Sequence, residues 1–152
     1  MIGRENKLEN DLFYTCSLIE YISRQTYNKR VDVVEAHGKK KIEKIYELAD
    51  MYHSDNIASV SDEFINQCHI QTGTFDNVSN AHYALPSYWD IGKVYKRLIL
   101  GISKELNIPI IDALWEAYHS FVSDKIDNYN SSFYYDAPQN ILLAFLENKI
   151  ED

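Results

Sequence analysis

The stretch Pro86–Pro109, "PSYWDIGKVYKRLILGISKELNIP", decides the fold class. Ser87 followed three positions later by Asp90 has the form of a capping box, in which each side chain satisfies a backbone N–H left free at a helix start. Ile91, Val94, Tyr95, Leu98 and Ile102 then recur at helical spacing and make one apolar stripe. Pro86 and Ile91 are placed to form a hydrophobic staple across the cap. Asn107 and Pro109 stop this helix and open another.

The same pattern extends in both directions. Upstream, Leu8, Leu12, Thr15, Cys16, Ile19 and Ile22 predict a helix from Leu8 to Gln25. A short helix is expected in "NKRVDVVEAHG", stopped by Gly38, and a longer one over Lys40–His53 on Ile42, Ile45, Tyr46, Ala49 and Tyr52. Val60, Phe64, Ile65 and Cys68 suit a further short helix, with Asp62 and Glu63 in its first turn, where the dipole favours negative charge. Downstream, Ile111, Leu114, Trp115, Tyr118, Val122 and Ile126 predict one long helix over Pro109–Tyr129. After the Tyr-rich "NYNSSFYYDAPQN", Asp136 and Gln139 read as a second capping box ahead of a last helix in "ILLAFLE". No stretch alternates as a strand would. The expectation is an all-α, single-domain chain (1–152) of six or seven helices. Its sub-halves are 8–68 and 87–150, joined by an aromatic-rich connector at 69–86. Gly73, Asn77, Asn80 and Pro86 punctuate that connector, and its Phe75, Val78, Tyr83 and Leu85 are expected to pack against the helices.

The two sub-halves resemble each other. "SLIEYISRQTYNKRVDVV" from Ser17 aligns with "RLILGISKELNIPIIDAL" from Arg97 at an offset of 80. Leu18/Leu98, Ile19/Ile99, Ile22/Ile102, Ser23/Ser103 and Asp32/Asp112 coincide. Two amphipathic helices share apolar spacing in any case, so the alignment leaves both duplication and chance open.

Of 152 residues 45% are apolar, which suits a globular chain with its own core. The net charge of −8 opposes general affinity for nucleic acid or anionic membranes. No apolar run approaches the roughly 20 residues of a membrane span, and "MIGRENKLEND" lacks a signal core, so a cytoplasmic location is expected. Cys16 and Cys68 fall in apolar stripes and read as small buried hydrophobes.

Catalytic signatures are absent from the pattern. There is no CxxC, HExxH, GxSxG or phosphate-binding glycine loop, so no catalytic residue, metal or cofactor is assigned. Asp124 and Asp127, three apart, read as a solvated helix face. "GKKKIEK" is basic, but Glu35, Glu43, Glu47 and Asp50 alternate with its lysines as on a salt-bridged exposed helix. The first choice for a binding surface lies at the opening stretch. Tyr83, Tyr88 and Trp89 bring aromatic area, and Lys93, Lys96 and Arg97 bring positive charge; aromatic and Arg residues dominate protein-binding hot spots.

The first half also resembles a family of short, uncharacterised bacterial helical proteins, through Phe13, Cys16, Ile19, Glu20, Tyr21, Tyr46, His53, Val60, Asp62 and Ile65 in that order. Members of that family look like antitoxin partners of ADP-ribosyltransferase-like toxins encoded beside them. The resemblance implies a small helical protein with no active site of its own. The expected function is therefore a non-enzymatic protein-binding module, antitoxin-like or regulatory. The alternative is a small nucleotide- or phosphometabolite-binding enzyme or sensor that holds the anion on Lys93, Lys96 and Arg97.

Overall fold

A computed structural model of the chain describes the backbone of residues 2–151 and the side chains of residues 7–148. Nine α-helices occur among the described residues, and no strand: α1 Ile2–Thr26, α2 Arg30–His37, α3 Lys39–Glu47, α4 Ala49–His53, α5 Ile57–Gln67, α6 Tyr88–Leu106, α7 Ile110–Tyr118, α8 Phe121–Ile126 and α9 Pro138–Glu151. A 3-10 turn at Phe133–Tyr135 precedes α9. No helix among the described residues is long and apolar enough to cross a membrane.

α1 is the centre of the fold. From Asp11 to Glu20 every residue but Phe13 is buried, so α1 is enclosed on all sides and does not show the one-faced burial its stripe suggests. Three of its buried small polar residues donate back into the helix, Thr15 to the Asp11 carbonyl (2.8 Å), Ser23 to Ile19 (2.7 Å) and Thr26 to Ile22 (2.8 Å), whereas the Ser17 hydroxyl is buried with no hydrogen-bond partner among the described residues. Leu8, counted in the stripe, lies exposed. The most extensive helix pairing is α1 against α6. They run antiparallel, Tyr21 meeting Tyr88 and Ser17 meeting Gly92. Glycine is needed there: a Cβ on Gly92 would lie 2.9 Å from the Ser17 backbone nitrogen.

α5 begins at Ile57, so Asp62 and Glu63 lie beyond its first turn and not within it as expected; α1 begins at Ile2, ahead of Leu8, and two of the expected helices are broken. The helix expected over Lys40–His53 is broken at Leu48 (φ −104°, ψ 16°) into α3 and α4. The one expected over Pro109–Tyr129 is broken at His119 and Ser120 into α7 and α8. At α9, Asp136 accepts from the Ala137 N–H (2.8 Å) and from Asn140 Nδ2 (3.1 Å), so Asn140 and not Gln139 is the side chain that reaches the cap.

The offset of 80 recurs in the backbone. α1 ends at Thr26 and α6 at Leu106; the next residues, Tyr27 and Asn107, take φ of 56° and 53°. The N–H of Asn28 then reaches the Ser23 carbonyl at 3.1 Å, and that of Ile108 reaches Ser103 at 3.1 Å. α2 and α7 begin at 30 and 110. The N–H groups of Met51 and Asp55 bond Leu48 and Tyr52, as those of Ser131 and Tyr135 bond Asn128 and Ser132. The two segments thus share one plan, α1–α5 set against α6–α9. An ion pair, Lys39 with Asp112 (2.8 Å), and a hydrogen bond, His119 with Glu35 (2.9 Å), join them.

Candidate functional site

The capping box at the start of α6 forms as its residues dictate. Ser87 Oγ accepts from the Asp90 N–H (3.0 Å), and Asp90 Oδ2 accepts from the Ser87 N–H (2.9 Å). This fixes the rotation of α6. Tyr88, Gly92, Tyr95 and Ile99 turn toward the interior, while Asp90, Lys93, Val94 and Arg97 turn toward α9. Between α6, the start of α9 and the end of the connector lies a groove of about 470 Å³. Val94, Leu98, Pro86 and Ile141 line its apolar part, with Leu85, Tyr134 and Tyr135 around it. Leu85 is 45% exposed and Tyr135 68%.

The charges of the groove are unevenly matched. Asp90 is engaged in the α6 cap and Asp136 in the α9 cap. Lys93 and Arg97 line the groove, stay exposed, and form no hydrogen bond or ion pair with a described residue. Two cations beside an apolar floor are suited to an amphipathic anion.

Of the six binding residues read from the sequence, the structure brings only Lys93 and Arg97 together at this groove. Trp89 and Lys96 sit on the adjacent strip of α6, both half-buried. Trp89 packs on Phe13 (ring centroids 5.4 Å) and on His53 (6.4 Å); Tyr88 meets Tyr21 edge-on at 5.0 Å. These two rings anchor α6 to the first half. Tyr83 is 73% exposed, so it does not pack on the helices as expected of the connector, and neither does Leu85; Phe75 and Val78 are half-buried.

A second constellation escaped the sequence reading. Glu20 accepts from Arg30 Nε (2.7 Å) and Nη2 (2.5 Å), from Arg24 Nε (2.8 Å) and from the Tyr129 hydroxyl. Tyr95 donates to Asp127 Oδ1 (2.9 Å) and shares a 2.7 Å hydrogen bond with Ser123 Oγ. Asp127, read from the sequence as part of a solvated face, is only 5% exposed; Asp124 beside it is exposed as expected. Burial works against the Glu20 charge, but the guanidiniums of Arg30 and Arg24 outweigh it and hold the carboxyl below its usual range. Burial wins at Asp127, pushing its carboxyl up to about 7, because Arg30 stands 3.9 Å off with its hydrogen bonds directed at Glu20. A polar cavity of about 450 Å³ opens beside Asp127 and Tyr129, walled by Asn77, Asn80, Asn128 and Asn130. The connector is tied down there: Asn77 donates to the Asp127 carbonyl (2.9 Å) and Asn130 accepts from the His82 N–H (2.7 Å). The available signal was charge inside apolar surroundings, Glu20 within "CSLIEYI" and Arg30 ahead of "VDVV".

The remaining chemistry is quiet. Cys16 and Cys68 are free, and burial pushes the Cys16 thiol up to about 12. No group of three or more His, Cys, Asp or Glu among the described residues could hold a metal ion. Lys39 and Lys41 of the basic cluster are engaged with Asp112 and Gln67. Compared with protein-family models, curated proteins and solved structures, the chain matches none.

Proposed function

We propose that the chain is a non-enzymatic binding protein that engages another protein through the groove between α6 and α9, in an antitoxin-like or regulatory role. One observation carries this reading. Exposed Leu85 and Tyr135 flank an open apolar groove whose wall presents two cations unpaired among the described residues, on a chain of net charge −8. Exposed apolar area rimmed by polar groups is characteristic of an interaction surface, and Tyr and Arg are the residues that concentrate binding energy. The partner would be blocked by occlusion, with the groove as anchor. The rim charges would chiefly set association rate and specificity.

The resemblance of the first half to antitoxin-type proteins adds the nature of the partner, a toxin. The test is to purify the tagged chain from its native cell with whatever accompanies it. Arg97→Glu and Leu85→Asp should each weaken an identified stoichiometric partner at least tenfold in calorimetry; unchanged affinity in both refutes the groove as the anchor.

The cavity volume supports a second reading. About 470 Å³ lies within the range of small-molecule sites, and aromatic rings beside two cations suit a nucleotide or phosphometabolite. Thermal stabilisation by nucleotides that disappears in Arg97→Glu would favour it, since a ligand binding only the native state raises its apparent stability.

A further inference from the structure

We propose that the groove takes an aromatic side chain with a carboxylate close by, presented by a segment of the partner protein; this rests on the protein-binding reading above. The first half of the chain supplies the argument. At the offset of 80, Lys93, Val94 and Arg97 correspond to Phe13, Tyr14 and Ser17, and Leu98 to Leu18. Around these first-half positions the space is filled. Tyr14 is buried, its ring 5.4 Å from His53 and its hydroxyl donating to the Tyr52 carbonyl at 3.4 Å. Trp89 closes over Phe13 and His53. In the second half the ring at the Tyr14 position is cut back to Val94, and the groove stands open. The shared plan therefore has room for a ring at this place, and only the half with valine leaves it vacant for an outside one.

Charge specifies the rest. Where the first half has Phe13 and Ser17, the second has Lys93 and Arg97, neither paired with a carboxylate among the described residues. The groove's resident carboxylates, Asp90 and Asp136, are held by helix caps. An aromatic group alone would leave two cations unmatched, and an inorganic anion alone would leave Leu85, Tyr135 and the half-buried Val94 wet. A segment carrying both satisfies both walls. A long polyanion is disfavoured by the charge of −8 on the rest of the chain, whereas a short acidic–aromatic segment meets only the local field.

The test selects random dodecapeptides displayed on phage against the full chain, with Val94→Tyr and Arg97→Glu as parallel targets. Val94→Tyr rebuilds in the second half the filling that Tyr14 provides in the first. Arg97→Glu is an exposed change that keeps the test decisive if the tyrosine disturbs folding, which circular dichroism and a thermal melt would show. Enrichment of peptides with Trp, Tyr or Phe within three positions of Asp or Glu, whose affinity by fluorescence anisotropy falls at least tenfold in both variants, is the expected result. Groove-dependent peptides lacking that pairing overturn the inference and leave the groove as the partner site. Peptides or a co-purified partner that bind both variants as well as wild type overturn the inference and, with it, the groove as the partner's anchor. Absence of groove-dependent enrichment also overturns the inference. ATP or pyrophosphate raising the melting temperature through Arg97 would then assign the groove to a small anion, and a dimer in sedimentation lost in Val94→Tyr would assign it to a second copy of the chain.

Discussion

Replacing Asp127 by Asn should remove a pH dependence of stability that wild type carries between about pH 4 and pH 7. The folded carboxyl titrates near 7, against an ordinary value of 3.8. Between those values the native state holds a proton that the unfolded chain has released, so stability falls as pH rises through this window and is level above it. A shift of about three units at about 1.4 kcal/mol each sets the full effect at about 4 kcal/mol. Asn keeps the carbonyl oxygen that Tyr95 donates to and cannot ionise. The variant should match wild type near pH 4 and exceed it in stability at pH 8. With a urea slope of roughly 1–3 kcal/mol/M for a small domain, the midpoint difference at pH 8 is on the order of 1–4 M.

The measurement is urea unfolding of both proteins at unit pH steps from 4 to 8. Glu20 is depressed, so it contributes stability that is present at neutral pH and lost as pH falls below its ordinary 4.5. That loss is common to both proteins and cancels in the difference. Parallel curves from pH 4 to 8 would refute the reasoning, because they mean the folded Asp127 carboxyl is not raised above its ordinary value. A wild type that gains on the variant as pH rises through values below about 4 would mean Arg30, 3.9 Å away, outweighs desolvation.

Two further outcomes follow from the packing. Gly92→Ala should lower the denaturant midpoint, because its Cβ meets the α1 backbone at Ser17 at an overpacking cost of about 1–3 kcal/mol, which the roughly 1 kcal/mol of helix propensity gained offsets only in part; a raised midpoint would show a looser α1–α6 crossing. Glu20→Gln should cost about 3–5 kcal/mol by leaving Arg30 buried without its counter-charge, whereas the double change Glu20→Leu with Arg30→Ile should cost less than that single change. A double variant less stable than Glu20→Gln would contradict this.

Much of the helical plan is legible in the residues because apolar spacing and caps are local signals. Ser87–Asp90 formed as written, and the stripe from Ile91 to Ile102 is largely buried. The missed breaks share a cause. Ile42, Ile45, Ala49 and Tyr52 stay in phase across Leu48, so periodicity runs through a joint that neither Gly nor Pro marks. The joint between α2 and α3 falls at Gly38, with φ of 80°. Eighty residues on stands Tyr118, next to the joint between α7 and α8, where no residue has positive φ and the glycine signal is gone. Half of the groove was legible as Lys93 and Arg97. Its other wall comes from Tyr134, Tyr135 and Ile141, some 40 residues away, which no local pattern connects to α6. The burial of Asp127 is likewise a tertiary fact, since the helical spacing that placed it three residues from exposed Asp124 says nothing of what covers either.

The buried Glu20–Arg30 pair has no counterpart on the other side of the repeated plan. Glu20 and Arg30 correspond at the offset of 80 to Leu100 and Ile110, so the equivalent place in the second half is apolar. Two helices as alike as α1 and α6, each followed by a left-handed residue and a short helix, have an inherent ambiguity in how they pair. A network that joins Glu20 and Arg30 of the first half to Tyr129 of the second, with Arg24 also donating to the Pro86 carbonyl, favours one arrangement, since any other would keep the Glu20–Arg30 pair but lose its hydrogen bonds to Tyr129 and Pro86. Its contribution is therefore to select one arrangement of the halves more than to add stability, as the comparison of single and double substitutions would reveal. The Pro86 contact gives that selection a consequence at the surface. Pro86 is a wall of the groove and the residue before the α6 cap. The charge pair that orients the halves thereby also sets the position from which Lys93 and Arg97 face α9.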